Sequence, residues 1–332
     1  MLAERWPLRA VRRCGFRPVL ASPVGRAYLV AVALFVATAL ASPGFAHASQ
    51  IRFLLVNASF IGEVALGQTF VIIGGGIDLS VPYVLNGTSI VMSILAQGHN
   101  GPLSWVVPLV LAGACGVGLA NGVIISLFGV SPIIVTLATN VMIEGALIAI
   151  TGGTTGANAP RLLVTAANGL VGPIPIALLI WLAVAVIATI VLRSTAFGRR
   201  LYAIGTNSVV TRIAGVRQHR VIIPTYIISA FVSGITGLVI SGFVGQSYLG
   251  LGDPYLFVSI AAVAVGGASM LGGSGNYLGT IAGTLILAMA TALLPIFNLA
   301  QGWLQVIYGI VIILTVGAAS IEGRHKGAGA RA

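Results

Sequence analysis

Long apolar runs fill this chain almost end to end, and one of the breaks between them differs from the rest. Residues 193–220 hold Arg193, Arg199, Arg200, Arg212, Arg217 and Arg220 and no Asp or Glu, with apolar sequence on both sides. A basic interruption in hydrocarbon-like sequence is a loop kept on the cytoplasmic side of a membrane. At about 1.5 Å of rise per residue, roughly 20 residues cross the hydrocarbon. That length divides the chain into ten predicted spans, at 27–46, 52–73, 81–96, 103–128, 130–150, 174–192, 221–243, 255–271, 277–298 and 303–320. The run at 81–96 is short and starts beside Pro82, which predicts a tilted or partial span.

The fold class expected is an all-α polytopic membrane protein of about ten transmembrane helices. Residues 1–26 form a basic cytoplasmic segment, 27–320 the transmembrane domain and 321–332 a cytoplasmic tail. Composition agrees, since 58% of the 332 residues are hydrophobic and only 7% are charged, against roughly a quarter charged in a water-soluble domain. With the amino end inside, ten alternating crossings bring 193–220 and the tail to the same side. That side then carries fifteen of the seventeen basic residues, leaving Arg52 and Arg161 opposite. The formal charge of +11 is therefore orientation signal and not a nucleic-acid footprint. The amino end also resembles a signal peptide, with Ala46-His47-Ala48 as a cleavage candidate and Arg12-Arg13 as a twin-arginine hint. Pro43 and Gly44 shorten its apolar core, and an uncleaved first span is expected.

Inside the basic loop, Asn207 or Ser208 is placed to cap a short helix over 209–214, and Gly215 to end it in the left-handed conformation. Val209, Val210, Ile213 and Ala214 fall on one side, next to Arg212. So small a face cannot anchor a fold. It fits a groove on a partner protein, or anionic lipid.

Three further stretches carry polar chemistry. Gly74-Gly75-Gly76-Ile77-Asp78-Leu79-Ser80 joins two spans; the glycines interrupt a helix, and Asp78 or Ser80 can cap the next one. An acidic residue at that depth is a functional hypothesis by default, with capping as the plain alternative. Glu144 lies one turn from Asn140, with Asn121 on the preceding span, and either lines a polar passage, carries a proton or bonds Asn140. Gly266-Gly267-Ala268-Ser269-Met270-Leu271-Gly272-Gly273-Ser274-Gly275 imitates a phosphate loop, but Gly273 stands where its lysine must be. A tight turn or a broken helix lining a cavity is the better reading. Small-residue pairs such as Gly118 with Gly122 and Gly279 with Gly283 predict close helix crossings. Cys14 and Cys115 and the scattered histidines show neither disulfide nor metal spacing. The external stretches 151–173 and 245–254, the latter with Gln246, Tyr248 and Asp253, are surfaces for a soluble partner or plain connections.

Together these segments resemble the membrane permeases of ribose-type sugar ABC importers. The resemblance rests on the Gly-Gly-Ile-Asp-Leu-Ser-Val stretch at 75–81, on Asn121-Gly122 before Pro132-Ile133-Ile134-Val135-Thr136-Leu137, on 197–205 and on the glycine pairs of 266–275. It covers roughly residues 50–320. Departures are Ser208 and Val209 at positions that are often acidic, Pro82 for a glycine, Leu256 for an acidic residue and Ser274 for a basic one. The resemblance implies a bacterial inner-membrane subunit that dimerises with a second copy or a paralogue. It implies two cytoplasmic ABC ATPases that bind ATP and Mg, a periplasmic sugar-binding protein, and no cofactor on this chain. Coupling to the ATPase falls to Arg199, Gly205, Asn207, Arg212, Ala214 and Gly215. The pathway or its hinges fall to Gly75, Gly76, Asp78, Ser80, Asn121, Thr136, Glu144, Gly266, Gly267, Gly272 and Gly273.

The expected activity is inward transport of a monosaccharide or related polyol, with no enzymatic centre on this chain. The rivals are the same machinery carrying branched-chain amino acids or nucleosides, a secondary transporter using Asp78 and Glu144 as ion sites, and a membrane module that moves no solute.

Overall fold

The computed structural model describes residues 22–154, 158–297, 300 and 302–328. Arg5, Arg9, Arg12, Arg13, Arg17 and Arg331 lie outside the described residues. The helices in order are α1 (Pro23–Ala41), α2 (Ala48–Ile73), α3 (Val81–Ala96), α4 (Leu103–Phe128), α5 (Pro132–Thr151) and α6 (Arg161–Asn168). A two-residue hairpin, β1 (Leu170–Val171) and β2 (Ile174–Pro175), precedes α7 (Ile176–Ser194). Then come α8 (Ala196–Thr206), α9 (Ser208–Ile213), α10 (His219–Val244), α11 (Tyr255–Val265), α12 (Tyr277–Ile296) and α13 (Gly302–Ala328).

Each predicted run carries one apolar helix. Among the described residues seven of these are long and apolar enough to cross a membrane, and α3, α11 and α13 contribute shorter apolar stretches. Several boundaries differ from expectation: α1 stops at Ala41, α2 already begins at Ala48 and α13 continues to Ala328. The run 255–271 is helical only to Val265, because Gly266 and Gly267 end α11 there. The stretch 151–173, expected as an open loop, contains α6 and the start of the hairpin.

The centre of the bundle is α2, buried along almost its whole length from Ala58 to Ile73, with α10 beside it. On one flank α10 meets α3 and α4, and on the other α2 meets α12, which packs on α11. In contrast α4, α5 and α7 keep most of their apolar side chains on the outside, as helices facing lipid do. The predicted glycine pairs sit at helix crossings. A methyl on Gly122 would stand 2.7 Å from Ile223 Cα of α10, and one on Gly283 would stand 2.9 Å from the Gly266 nitrogen. Backbones that approach this closely gain dispersion contacts along their length, the main attraction available to helices in lipid.

The loops gather at two ends. At one, Ala159 N–H donates to Gly245 O at 2.9 Å, Leu162 N–H to Asn100 Oδ1 at 2.9 Å and Asn168 Nδ2 to Gly242 O at 3.1 Å, so α6 is tied across the mouth of the bundle. The opposite end holds residues 74–80, α8, α9 and the turn 266–276.

Candidate functional site

After Ile73 the chain leaves α2 through three glycines. Gly75 has φ +87°, and its N–H and that of Gly76 fold back onto the carbonyls of Ile72 and Val71 at 2.9 and 3.0 Å, closing the helix end. The next residues, 76–80, belong to no helix or strand, and Asp78 comes to rest 1% exposed. Its Oδ1 accepts from the Ser80 N–H at 3.0 Å and the Ser80 hydroxyl at 2.6 Å, and its Oδ2 from the Ser229 hydroxyl of α10 at 2.7 Å. Gln68 of α2 holds the Asp78 backbone, with Nε2 donating to its carbonyl at 2.5 Å. Asn121 of α4 donates to Ser80 Oγ at 3.0 Å and accepts from Thr139 of α5 at 2.6 Å. Thr136 of α5 accepts the Leu79 N–H at 3.0 Å.

The sequence expectation that Asp78 or Ser80 caps α3 is corrected by this geometry. Ser80 occupies the cap position, but its hydroxyl is turned to Asp78 and makes no cap bond to α3. Asp78 instead fastens the unwound segment to α10 and, through Ser80 and Asn121, to α4 and α5. No cation approaches the carboxylate among the described residues; three O–H and N–H donors hold it, which is how an isolated carboxylate is accommodated in an apolar surrounding.

The glycines of 266–275 repeat the helix ending of 74–76. Gly267 has φ +85°, and its N–H and that of Ala268 return to Ala264 and Val263 at 3.0 and 3.2 Å. The turn that follows, with Gly272 at φ +88° and Gly273 at φ +74°, lies against Gly75 and Gly205. A methyl on Gly272 would be 2.8 Å from Gly75 Cα, and one on Gly205 would be 2.5 Å from the Gly273 nitrogen. Gly75, Gly205, Gly272 and Gly273 are thus brought to one spot. Beside it opens a cleft of about 470 Å³ bordered by Gly76, Asn207, Thr225, Tyr226 and Leu271.

The basic loop folds as two helices. Thr195 caps α8 by accepting the Gly198 N–H at 3.2 Å, and Asn207 caps α9 by accepting the N–H groups of Val209 and Val210, each at 3.0 Å. Gly215, φ +79°, ends α9: its N–H bonds Arg212 O and that of Val216 bonds Thr211 O, both at 3.0 Å. Gln218 reaches back to the Ser208 carbonyl and to Thr211 Oγ1, fixing α9 to the start of α10. Both end signals read from the sequence are present, one residue early at the start. The apolar face stands in the open: Val209 is 64%, Val210 58% and Ile213 84% exposed. Ala214, Arg212 and Arg199 are exposed nearby.

Glu144 belongs to a different place, toward the tied loop end. It meets the Tyr83 hydroxyl and lies near Asp253, whose carboxyl is pushed up by burial and by the Glu144 charge. No bond joins it to Asn140, whose Oδ1 is buried without a partner. The sequence reading passed over Glu63 on α2. It is wholly buried, and among the described residues neither carboxyl oxygen has a hydrogen-bond partner; the facing Thr236 hydroxyl donates to Val232 O at 2.9 Å. Its signal was visible, a lone acid in an apolar run.

Residues 50–316 match the family model described as branched-chain amino acid transport system / permease component. The chain is 30% identical to the ribose import permease protein RbsC of Haemophilus influenzae over 91% of its own length and 94% of the relative's. It is 29% identical to the L-arabinose ABC transporter permease protein AraH of Azospirillum brasilense, covering 87% of this chain and 85% of that one. It is also 29% identical to the autoinducer 2 import system permease protein LsrD of Photorhabdus luminescens, covering 83% and 85%. No solved structure matches the chain significantly. With a bundle of membrane-length helices behind a capped, solvent-facing helix, and a family match over most of its length, this chain belongs to the permease components of the branched-chain amino acid transport system family, the sugar import permeases among its relatives.

Proposed function

We propose that this chain is the membrane-spanning subunit of an ATP-driven importer that carries a monosaccharide or related polyol from periplasm to cytoplasm across the bacterial inner membrane. The observation that carries the reading is α9. Its end bonds are complete, yet its apolar face is left to solvent inside a basic loop, and such a face finds its free energy in a partner's groove. In a permease subunit that partner is an ABC ATPase, which binds ATP and Mg. Two ATPases, a second permease copy or paralogue and a periplasmic sugar-binding protein complete the assembly. The ten apolar helices alternate through the membrane, the shorter α3 and α11 crossing it only in part, and both termini and 193–220 face the cytoplasm.

Similarity to ribose, arabinose and autoinducer 2 permeases over most of their lengths favours a polyhydroxylated solute over a branched-chain amino acid. The Asp78 carboxylate, committed to Ser80 and Ser229, speaks for ATP coupling over an ion-coupled cycle. The test is uptake of labelled ribose and arabinose into liposomes holding the chain with its ATPase and binding protein. Accumulation is expected only with ATP and both partners. Accumulation driven by a proton or sodium gradient without the ATPase overturns the reading.

A further inference from the structure

We propose that α8 is the strut through which α9 moves both interrupted spans together, with Gly205 as its positioning residue; this rests on the reading of α9 as the docking helix. α8 touches two separate helix ends, the glycine exit of α2 and the glycine turn after α11, and these also touch each other.

The contacts are backbone on backbone. A Cβ at Gly205 would overlap the Ile73 carbonyl and stand 2.5 Å from the Gly273 nitrogen. Gly273 N–H donates to that same Ile73 carbonyl at 2.9 Å, so the last carbonyl of α2 is claimed by the turn after α11. Side chains of α8 grip the turn as well. The Tyr202 hydroxyl donates to Gly275 O at 2.8 Å, and Thr206 Oγ1, which donates to Tyr202 O at 2.8 Å, lies 3.5 Å from Gly273 O.

Between α8 and α9 there is a single residue, Asn207, and its side chain is spent on capping α9. That connection has no slack. A displacement of α9 therefore becomes a displacement of α8, and α8 cannot move without shifting or breaking its seat on 73–75 and 272–275. Close-packed backbone contacts of this kind switch between discrete arrangements and do not compress. The glycines serve as a seat, where a side chain would hold the three segments apart. The Asp78 network begins three residues beyond Gly75, so movement at the seat is delivered to the segment that ties α4, α5 and α10 together.

The test uses the full complex with ATPase and binding protein in liposomes, with D-ribose and L-arabinose as probes, and reads ATP consumed per solute imported. Gly205→Ala is expected to copurify with the ATPase and to raise that ratio about fivefold or more, the scale of a typical coupling energy. Tyr202→Phe removes one hydroxyl and no packing volume, and is expected to raise the ratio about fivefold, equivalent to one lost hydrogen bond. If Gly205→Ala is not recovered folded, Tyr202→Phe decides. A wild-type ratio in the folded variants overturns the proposal. Ile213→Asp separates the two readings: loss of the ATPase during purification supports docking by α9, whereas retention with normal uptake overturns docking and the strut with it.

Discussion

At the scale of single residues, the two buried acids of α2 and its exit make opposite predictions. Asp78 is satisfied three times over, so Asp78→Asn replaces a two-oxygen acceptor with an amide that keeps one accepting oxygen and turns the other bond round. The expected loss is about 2–3 kcal/mol, read as a lower unfolding midpoint in detergent, with Ser229→Ala costing about 1 kcal/mol. An unchanged midpoint for Asp78→Asn removes the network from any structural role. Glu63 has little to lose, because among the described residues both its oxygens are buried without a hydrogen bond, the Thr236 hydroxyl beside them being spent on Val232 O. Glu63→Met is expected to raise stability by about 1–3 kcal/mol, the cost of an unsatisfied buried polar group. A fall in the midpoint shows that the carboxyl has a partner in the folded bundle. That Asp78 matters was legible, since an acid between apolar spans is rare. Its partner was not: Ser229 lies 151 residues away, and Ser and Thr in spans more often bond their own helix, as Ser59 and Thr69 do.

Elements were legible to the extent that their signals are local. The start and stop of α9 were read within one residue, because an Asn cap and a left-handed glycine act on atoms two or three residues away. Glu144 shows the limit of the same logic. Its helical neighbour Asn140 was one local partner among three open readings, and the structure sets Glu144 beside Tyr83 and Asp253 instead. The fold of α6 across the bundle mouth likewise depends on contacts with distant segments, whereas the early end of α11 is local, set by Gly266 and Gly267. From the local geometry of α9, Asn207→Ala removes two cap bonds at a cost of about 1 kcal/mol. Gly215→Ala forces a side chain into φ +79°, which costs about 1–2 kcal/mol. Both changes act at the ends of one short helix, so global stability is expected to fall by no more than those amounts, about 1–2 kcal/mol. The ATPase is expected to dissociate faster from both variants in a pull-down. Unchanged retention means that α9 does not need its folded ends to dock.

For the whole molecule, apolar run length and charge placement gave the helix order, while the arrangement of helices stayed hidden because it is written in close approaches. Gly118 and Gly122 were read as small-residue pairs, yet nothing local says that they meet α10 and not another helix. Orientation is the global property on which the transport reading depends most. Arg193, Arg199, Arg200, Arg212, Arg217 and Arg220 gather at one end of the bundle, and Arg161 lies at the other, on α6. Basic residues beside spans are retained in the cytoplasm, because moving each across costs energy against both the membrane potential and the insertion machinery's bias. The end with α8 and α9 is then expected to face inward and the hairpin end outward. The check is a pair of single-cysteine variants, Gly172→Cys in the hairpin turn and Ser208→Cys on α9, in a chain with Cys14 and Cys115 changed to Ser. Both sites are exposed, so labelling reports side and not burial. In intact spheroplasts a membrane-impermeant maleimide is expected to label residue 172 and to reach residue 208 only after permeabilisation. Labelling of residue 208 from outside turns the bundle over, places α9 where no ATP-hydrolysing partner can reach it, and ends the import reading.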